Sequence, residues 1–182
     1  MKKKLGLATV LAIAVALGSL LGMHAFAGSG KTNVKADLLT GYQEATPAGV
    51  ATDATGTFEA TIDDQAGTIS YTLTYQGLSG PALFSHIHFG NRFDSGGVSV
   101  FLCGGGPQNI ACPAGTTDQA TVTGTISAAD VVGPAAQGIN PGDFDKLVDA
   151  IRAGVTYVNV HTPKFQAGEI RGQVNDDNQR QP

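Results

Sequence analysis

Leaving aside His24 near the N-terminus, the 182-residue chain carries three histidines, and all stand in two short β-like segments, Ser85-His86-Ile87-His88-Phe89-Gly90 and Tyr157-Val158-Asn159-Val160-His161-Thr162. Side chains alternate along an extended strand, so His86 and His88 share one face, about 7 Å apart at Cα, with Ile87 and Phe89 on the other. A neighbouring strand bearing His161 would complete a three-imidazole cluster. Its ligand nitrogens should converge to within about 3 to 4 Å, since each must lie about 2.0 to 2.1 Å from a shared ion. Neutral imidazoles on rigid strands are borderline-soft ligands suited to copper, zinc or nickel, and copper(II) has the highest intrinsic affinity, so copper is expected ahead of zinc. The alternative is that each histidine simply hydrogen-bonds to backbone or acidic neighbours on a half-buried face. Glu169 and Arg171 fall on one strand face and also admit two readings. They are a second shell that orients an imidazole or guides an anion, or a cross-strand ion pair worth about 0 to 1 kcal/mol if exposed. No serine or cysteine sits in a recognisable nucleophile setting and no phosphate-cradling glycine loop opens a helix, so no catalytic residue is assigned.

The beginning of the chain reads as an export signal. Lys2, Lys3 and Lys4 form a basic start, an apolar run follows from Leu5 to Met23, and Ala25-Phe26-Ala27 gives a small-x-small pattern before Gly28. Residues 1–27 are therefore expected to be cleaved, with an uncleaved anchor as the alternative; once cleaved, the chain has no stable membrane anchor and is secreted or periplasmic. Removal takes three lysines and no acid, leaving 8 basic against 15 acidic residues, a net charge near −7. That balance, without a basic patch interleaved with aromatics, excludes a nucleic-acid partner and leaves a metal ion or an extracytoplasmic protein. In an oxidising compartment Cys103 and Cys112, separated by a glycine-rich spacer, are expected to form a disulfide rather than a pair of thiolate ligands.

The elements that must position these groups are mostly strands. Val34, Ala36 and Leu38 alternate with polar residues. Phe58, Ala60 and Ile62 line one arm of a hairpin that turns at residues 63–67, and Ile69, Tyr71, Leu73 and Tyr75 line the other. Asp63-Asp64 could attract calcium, though a turn is sufficient explanation. Further strands are expected over 82–89, 98–103, 119–127, 157–161 and 169–174. One helix is expected with Asn140 as cap, Pro141 at its first position, Phe144, Leu147, Val148 and Ile151 on its apolar face, and Gly154 as its stop. Residues 28–174 therefore predict one antiparallel Greek-key β-sandwich or barrel with a single short helix, followed by a disordered polar tail over 175–182.

Several stretches in this order resemble the chordin-type (CHRD) domain: Glu44 and Pro47, Gly56-Thr57-Phe58, His86-Ile87-His88-Phe89-Gly90, Gly97 through Cys103, Gly154 through His161, and Gly168-Glu169-Ile170-Arg171-Gly172-Gln173. The resemblance spans roughly Val34 to Val174 and implies an extracytoplasmic β-sandwich binding module with no established reaction. Glu44-Ala45-Thr46-Pro47 looks like a variant of that family's Glu-x-Pro-Pro. The His-x-His strand before Phe-Gly, with the later Val-x-Val-His strand, is also similar to the copper half of copper/zinc superoxide dismutases. From that pattern the chain departs, because no histidine lies between His88 and His161 to serve as bridging or zinc ligand. Two functions follow as expectations: an exported CHRD-type binding module that holds copper through three histidines, or a copper-dependent, dismutase-like redox enzyme.

Overall fold

Period-two alternation builds eight strands: β1 (Lys31–Thr40), β2 (Thr55–Asp63), β3 (Thr68–Gln76), β4 (Phe84–Phe89), β5 (Gly97–Cys103), β6 (Ala120–Ile126), β7 (Thr156–His161) and β8 (Ile170–Val174). This computed structural model describes residues 30–46 and 48–175. The expected export signal with its cleavage point, Pro47, and the polar end from residue 176 onward lie outside the described residues. The strands form one antiparallel sheet in the order β5-β4-β7-β8-β1-β2-β3-β6, a Greek-key path in which β6 returns to pair with β3 and β8 closes back on β1. The sheet curls until its two edges face each other. Across that seam the Tyr71 hydroxyl of β3 donates to the Leu102 carbonyl of β5 at 2.7 Å, and the Gln108 side chain donates to the Thr125 carbonyl of β6 at 2.8 Å. The result is a nearly closed barrel whose edge carbonyls find partners.

The barrel is filled by the inward residues of every strand, among them Phe58, Ile62, Ile69, Leu73, Ile87, Val100, Leu102, Val122, Val158, Val160 and Ile170. Each large aliphatic side chain so buried contributes about 1.5–3 kcal/mol relative to exposure. Alternation mispredicts one position. β1 shifts register between Ala36 and Leu39, so Leu39 turns inward and Leu38 is exposed, where a strict period of two puts Leu38 in the core. The disulfide between Cys103 and Cys112 is present and closes the glycine-rich loop after β5.

The helix, α1, spans Phe144–Arg152 and buries Phe144, Leu147, Val148 and Ile151 as its periodicity predicts. It begins later than the sequence suggested. Gly142 takes a φ of +87°, which no continuing right-handed helix tolerates, so Pro141 lies in the preceding turn and Asp143 flanks the first helical residue. Asn140 serves that turn, its backbone and side-chain N–H groups donating to the Asp143 carboxylate. Gly154, at a φ of +72°, follows the helix as expected. The 63–67 turn accounts for its aspartates: Asp63 accepts from the backbone of Gln65 and Ala66, and Asp64 pairs with Arg152.

Candidate metal centre

The register of three adjacent strands assembles a polar cluster on the outside of the barrel. Phe84, His86 and His88 of β4 stand opposite His161, Asn159 and Tyr157 of β7, and Asn159 and Tyr157 stand opposite Arg171 and Gln173 of β8. The intervening residues Ile87, Val158, Val160 and Ile170 point into the core. One rule of alternation therefore sends the apolar set inward and the histidines outward. Yet, apart from Phe84 at the end of β4, the outward set is not wet. His86, His88 and His161 are 7%, 8% and 7% exposed, and Arg171 is 1% exposed.

Loops supply the cover, and the imidazoles are fastened to them. His88 Nδ1 donates to the Gly96 carbonyl at 2.9 Å, and His161 Nδ1 donates to the Gln166 carbonyl at 2.9 Å. A proton on Nδ1 leaves Nε2 of each ring as the lone-pair side, without a hydrogen-bond partner in His88 and accepting from His86 Nδ1 in His161. The loop before β5 can approach this closely only because residue 96 is glycine: a Cβ there would lie 1.7 Å from the Phe89 carbonyl oxygen. His86 lies between the other two, with Nδ1 3.1 Å from His161 Nε2 and its ring 5.3 Å from that of His88. Phe101 and Phe84 pack against it at centroid distances of 4.5 and 6.0 Å.

The three histidines present ligand atoms that all lie within 4.8 Å of one another. That spread exceeds the 3 to 4 Å expected from the sequence. Nitrogens about 2.0 to 2.1 Å from a shared ion can be no more than about 4.2 Å apart, so the rings need to close by tenths of an ångström. Burial drives the imidazoles toward their neutral forms: His86 is lowered to about 3, first by desolvation and then by its two imidazole neighbours. His88 is lowered to about 4, again chiefly by burial, and His161 moves in the same direction for the same reason. Three neutral rings thus offer lone pairs at any ordinary pH. Two of the nitrogens, His86 Nε2 and His88 Nε2, are buried with no hydrogen-bond partner among the described residues.

Arg171 and Glu169 diverge. The Arg171 guanidinium lies 3.4 Å from the centre of the Tyr157 ring and donates to the Asn91 and Asp94 carbonyls. The other neighbour of that ring is His88, stacked in parallel at 4.7 Å. Arg171 therefore reaches the imidazoles only through Tyr157. Glu169 is fully buried, and its carboxylate accepts from Thr52, from the backbone and hydroxyl of Ser79, and from Thr162. It staples three loops; the carbonyls of Gly96 and Gln166 orient the imidazoles in its place.

Sequence reasoning missed one member of this face, Asn159, and the burial of another, Glu44. Asn159 sits between His86 and Arg171 in register, with its side-chain oxygen Oδ1 3.0 Å from His161 Nε2, and its place two residues before His161 was the available signal. Glu44 is 6% exposed, and burial pushes its carboxyl up to about 8 although the Arg171 charge opposes the shift. Gly168, at a φ of +133°, makes room for it, since a Cβ there would lie 2.2 Å from Glu44 Oε1. No alternation or spacing marks a loop carboxylate for burial.

Of the comparisons with known proteins, the one with family models gives a match. The family model of the CHRD domain matches residues 36–174, which takes in the second half of β1, the strands β2 to β8, the helix, the disulfide and the three histidines. No curated protein and no solved structure matches the chain. On the strength of a family match that covers most of its length, the chain belongs to the CHRD domain family.

Proposed function

We propose that this chain is an exported CHRD-type binding module that holds a copper ion through His86, His88 and His161. The observation that carries the reading is the pair of buried imidazole nitrogens, His86 Nε2 and His88 Nε2, without hydrogen-bond partners beside a third imidazole. A buried polar atom left unmatched costs about 1–3 kcal/mol, and a coordinated metal removes that cost by taking the lone pair. Copper stands ahead of zinc because it binds nitrogen sites of a given geometry more tightly. Export is supported by the basic and apolar start of the sequence and by the disulfide, which suits an oxidising compartment. Among the described residues no helix is long and apolar enough to cross a membrane.

Elemental analysis of protein purified from its own compartment tests the reading directly, with about one copper per chain expected. The pH dependence of binding sharpens it. A proton and a metal compete for the same lone pair, and burial has lowered the proton affinity of each ring. Copper is therefore held as pH falls through the ordinary histidine range near 6.5 and is lost on approach to about 4. Release centred between pH 6 and 7 would mean solvated imidazoles and would sink the covered site. A dismutase-like enzyme separates from a binding module by turnover: copper-loaded protein that removes superoxide no faster than free copper is a binder.

A further inference from the structure

A buried site must balance the charge of the ion it holds as well as satisfy its coordination. The donors here are neutral: three imidazoles, with the Asn159 side-chain amide beside His161. The acidic groups of the region do not supply a negative charge to the imidazoles: burial beside Gly168 holds the Glu44 carboxyl toward its neutral form although the Arg171 charge opposes the shift. Glu169 spends its carboxylate on Thr52, Ser79 and Thr162. The Asp94 carboxylate accepts from Asn91, and the two cysteine sulfurs are joined to each other. The nearest fixed charge is positive, the Arg171 guanidinium on the far side of the Tyr157 ring that stacks on His88. Phe84, Phe101 and Tyr157 form the walls.

In such surroundings the cost of removing an ion from water rises with the square of its charge, so a dication is penalised about four times as heavily as a monocation. No ionised carboxylate or thiolate among these groups offsets the difference, and the guanidinium adds to it. Coordination number points the same way. A monovalent d¹⁰ copper ion is satisfied by three nitrogen ligands, whereas zinc takes a fourth, which a covered three-histidine site has to admit as water. We infer that this centre selects monovalent copper over divalent copper and zinc, with His86, His88 and His161 as its ligands. The inference rests on the reading of the three imidazoles as a metal site and adds the oxidation state of the ion.

The test is a set of competition titrations on the full-length exported protein. Cu(I) is added anaerobically against bicinchoninate, Cu(II) and Zn(II) against nitrilotriacetate, and Ag(I) serves as a redox-inert monovalent probe. Expected are one Cu(I) per chain, a dissociation constant at least 1,000-fold below those for Cu(II) and Zn(II), and one Ag(I) that shifts the imidazole NMR signals of all three histidines. His86→Ala, His88→Ala and His161→Ala should each weaken Cu(I) binding at least 100-fold. The silver-induced shifts in the unaltered protein keep the assignment testable if any variant fails to fold. Cu(II) or Zn(II) bound as tightly as Cu(I), with the histidines as ligands, overturns the selectivity and leaves the metal site standing. Failure of every ion to bind, or binding indifferent to the three substitutions, removes the site itself and the selectivity with it.

Discussion

Strands β2 and β3 share an interior with β7 and β8 but not an exterior. On the first pair buried and open positions alternate, with Thr57, Glu59, Ser70 and Thr72 facing solvent; on the second pair every residue is buried. The inner surfaces are equivalent in kind, so the difference lies in what covers the outer ones. Over β7 and β8 the loops carrying Glu44, Gly96 and Gln166 close down and hold the outward side chains by their carbonyls and contacts. Polar groups on that side have exchanged water for fixed partners. The lesson is that within one sheet the interior decides whether the barrel forms, while the cover decides whether its outer residues become a site.

Substitutions on the two faces of the same strands can break that division, and the largest effect belongs to the interior. Ile87→Ala, one residue from both histidines of β4 but facing the core, should lower unfolding free energy by about 2–5 kcal/mol in denaturant titrations. Removing the disulfide by replacing Cys103 and Cys112 with serine should cost about 2–3 kcal/mol, because the bond closes a short loop in the unfolded chain. His161→Ala should cost only about 1–2 kcal/mol, the penalty for leaving the Gln166 carbonyl and His86 Nδ1 without their partner, while abolishing tight copper binding. If it unfolds the barrel instead, the cover is part of the fold and the division fails. Thr57→Ala, which removes an exposed cross-strand hydrogen bond to Thr74, should shift stability by about 0.2–1 kcal/mol and leave metal binding untouched.

The division also explains what could be read from the residues alone. Inward positions obey a local period, so the strands, the hairpin at 63–67 and the common face of His86 and His88 were legible. The exceptions are local breaks in that period, the irregularity before Leu39 and the left-handed Gly142 that delays the helix. Burial of the outer face is a long-range property. It depends on which loops fold over it, so the burial of Glu44 has no signal in the sequence, and neither reading of Glu169, beside an imidazole or paired with Arg171, names its partners Thr52, Ser79 and Thr162. The same non-locality sets the pH window for metal release, because exposed histidines titrate near 6.5 and covered ones are held below it.

Because His88 and His161 are each tethered to a different loop carbonyl, the centre is adjustable from outside the barrel. Insertions or exchanges in the loop around Gly96 or the loop around Gln166 would tilt one ring at a time while leaving every ladder bond between strands in place. A lineage carrying this barrel could therefore retune or dismantle the imidazole cluster through loop drift alone, with folding and the geometry of the cluster under separate selection.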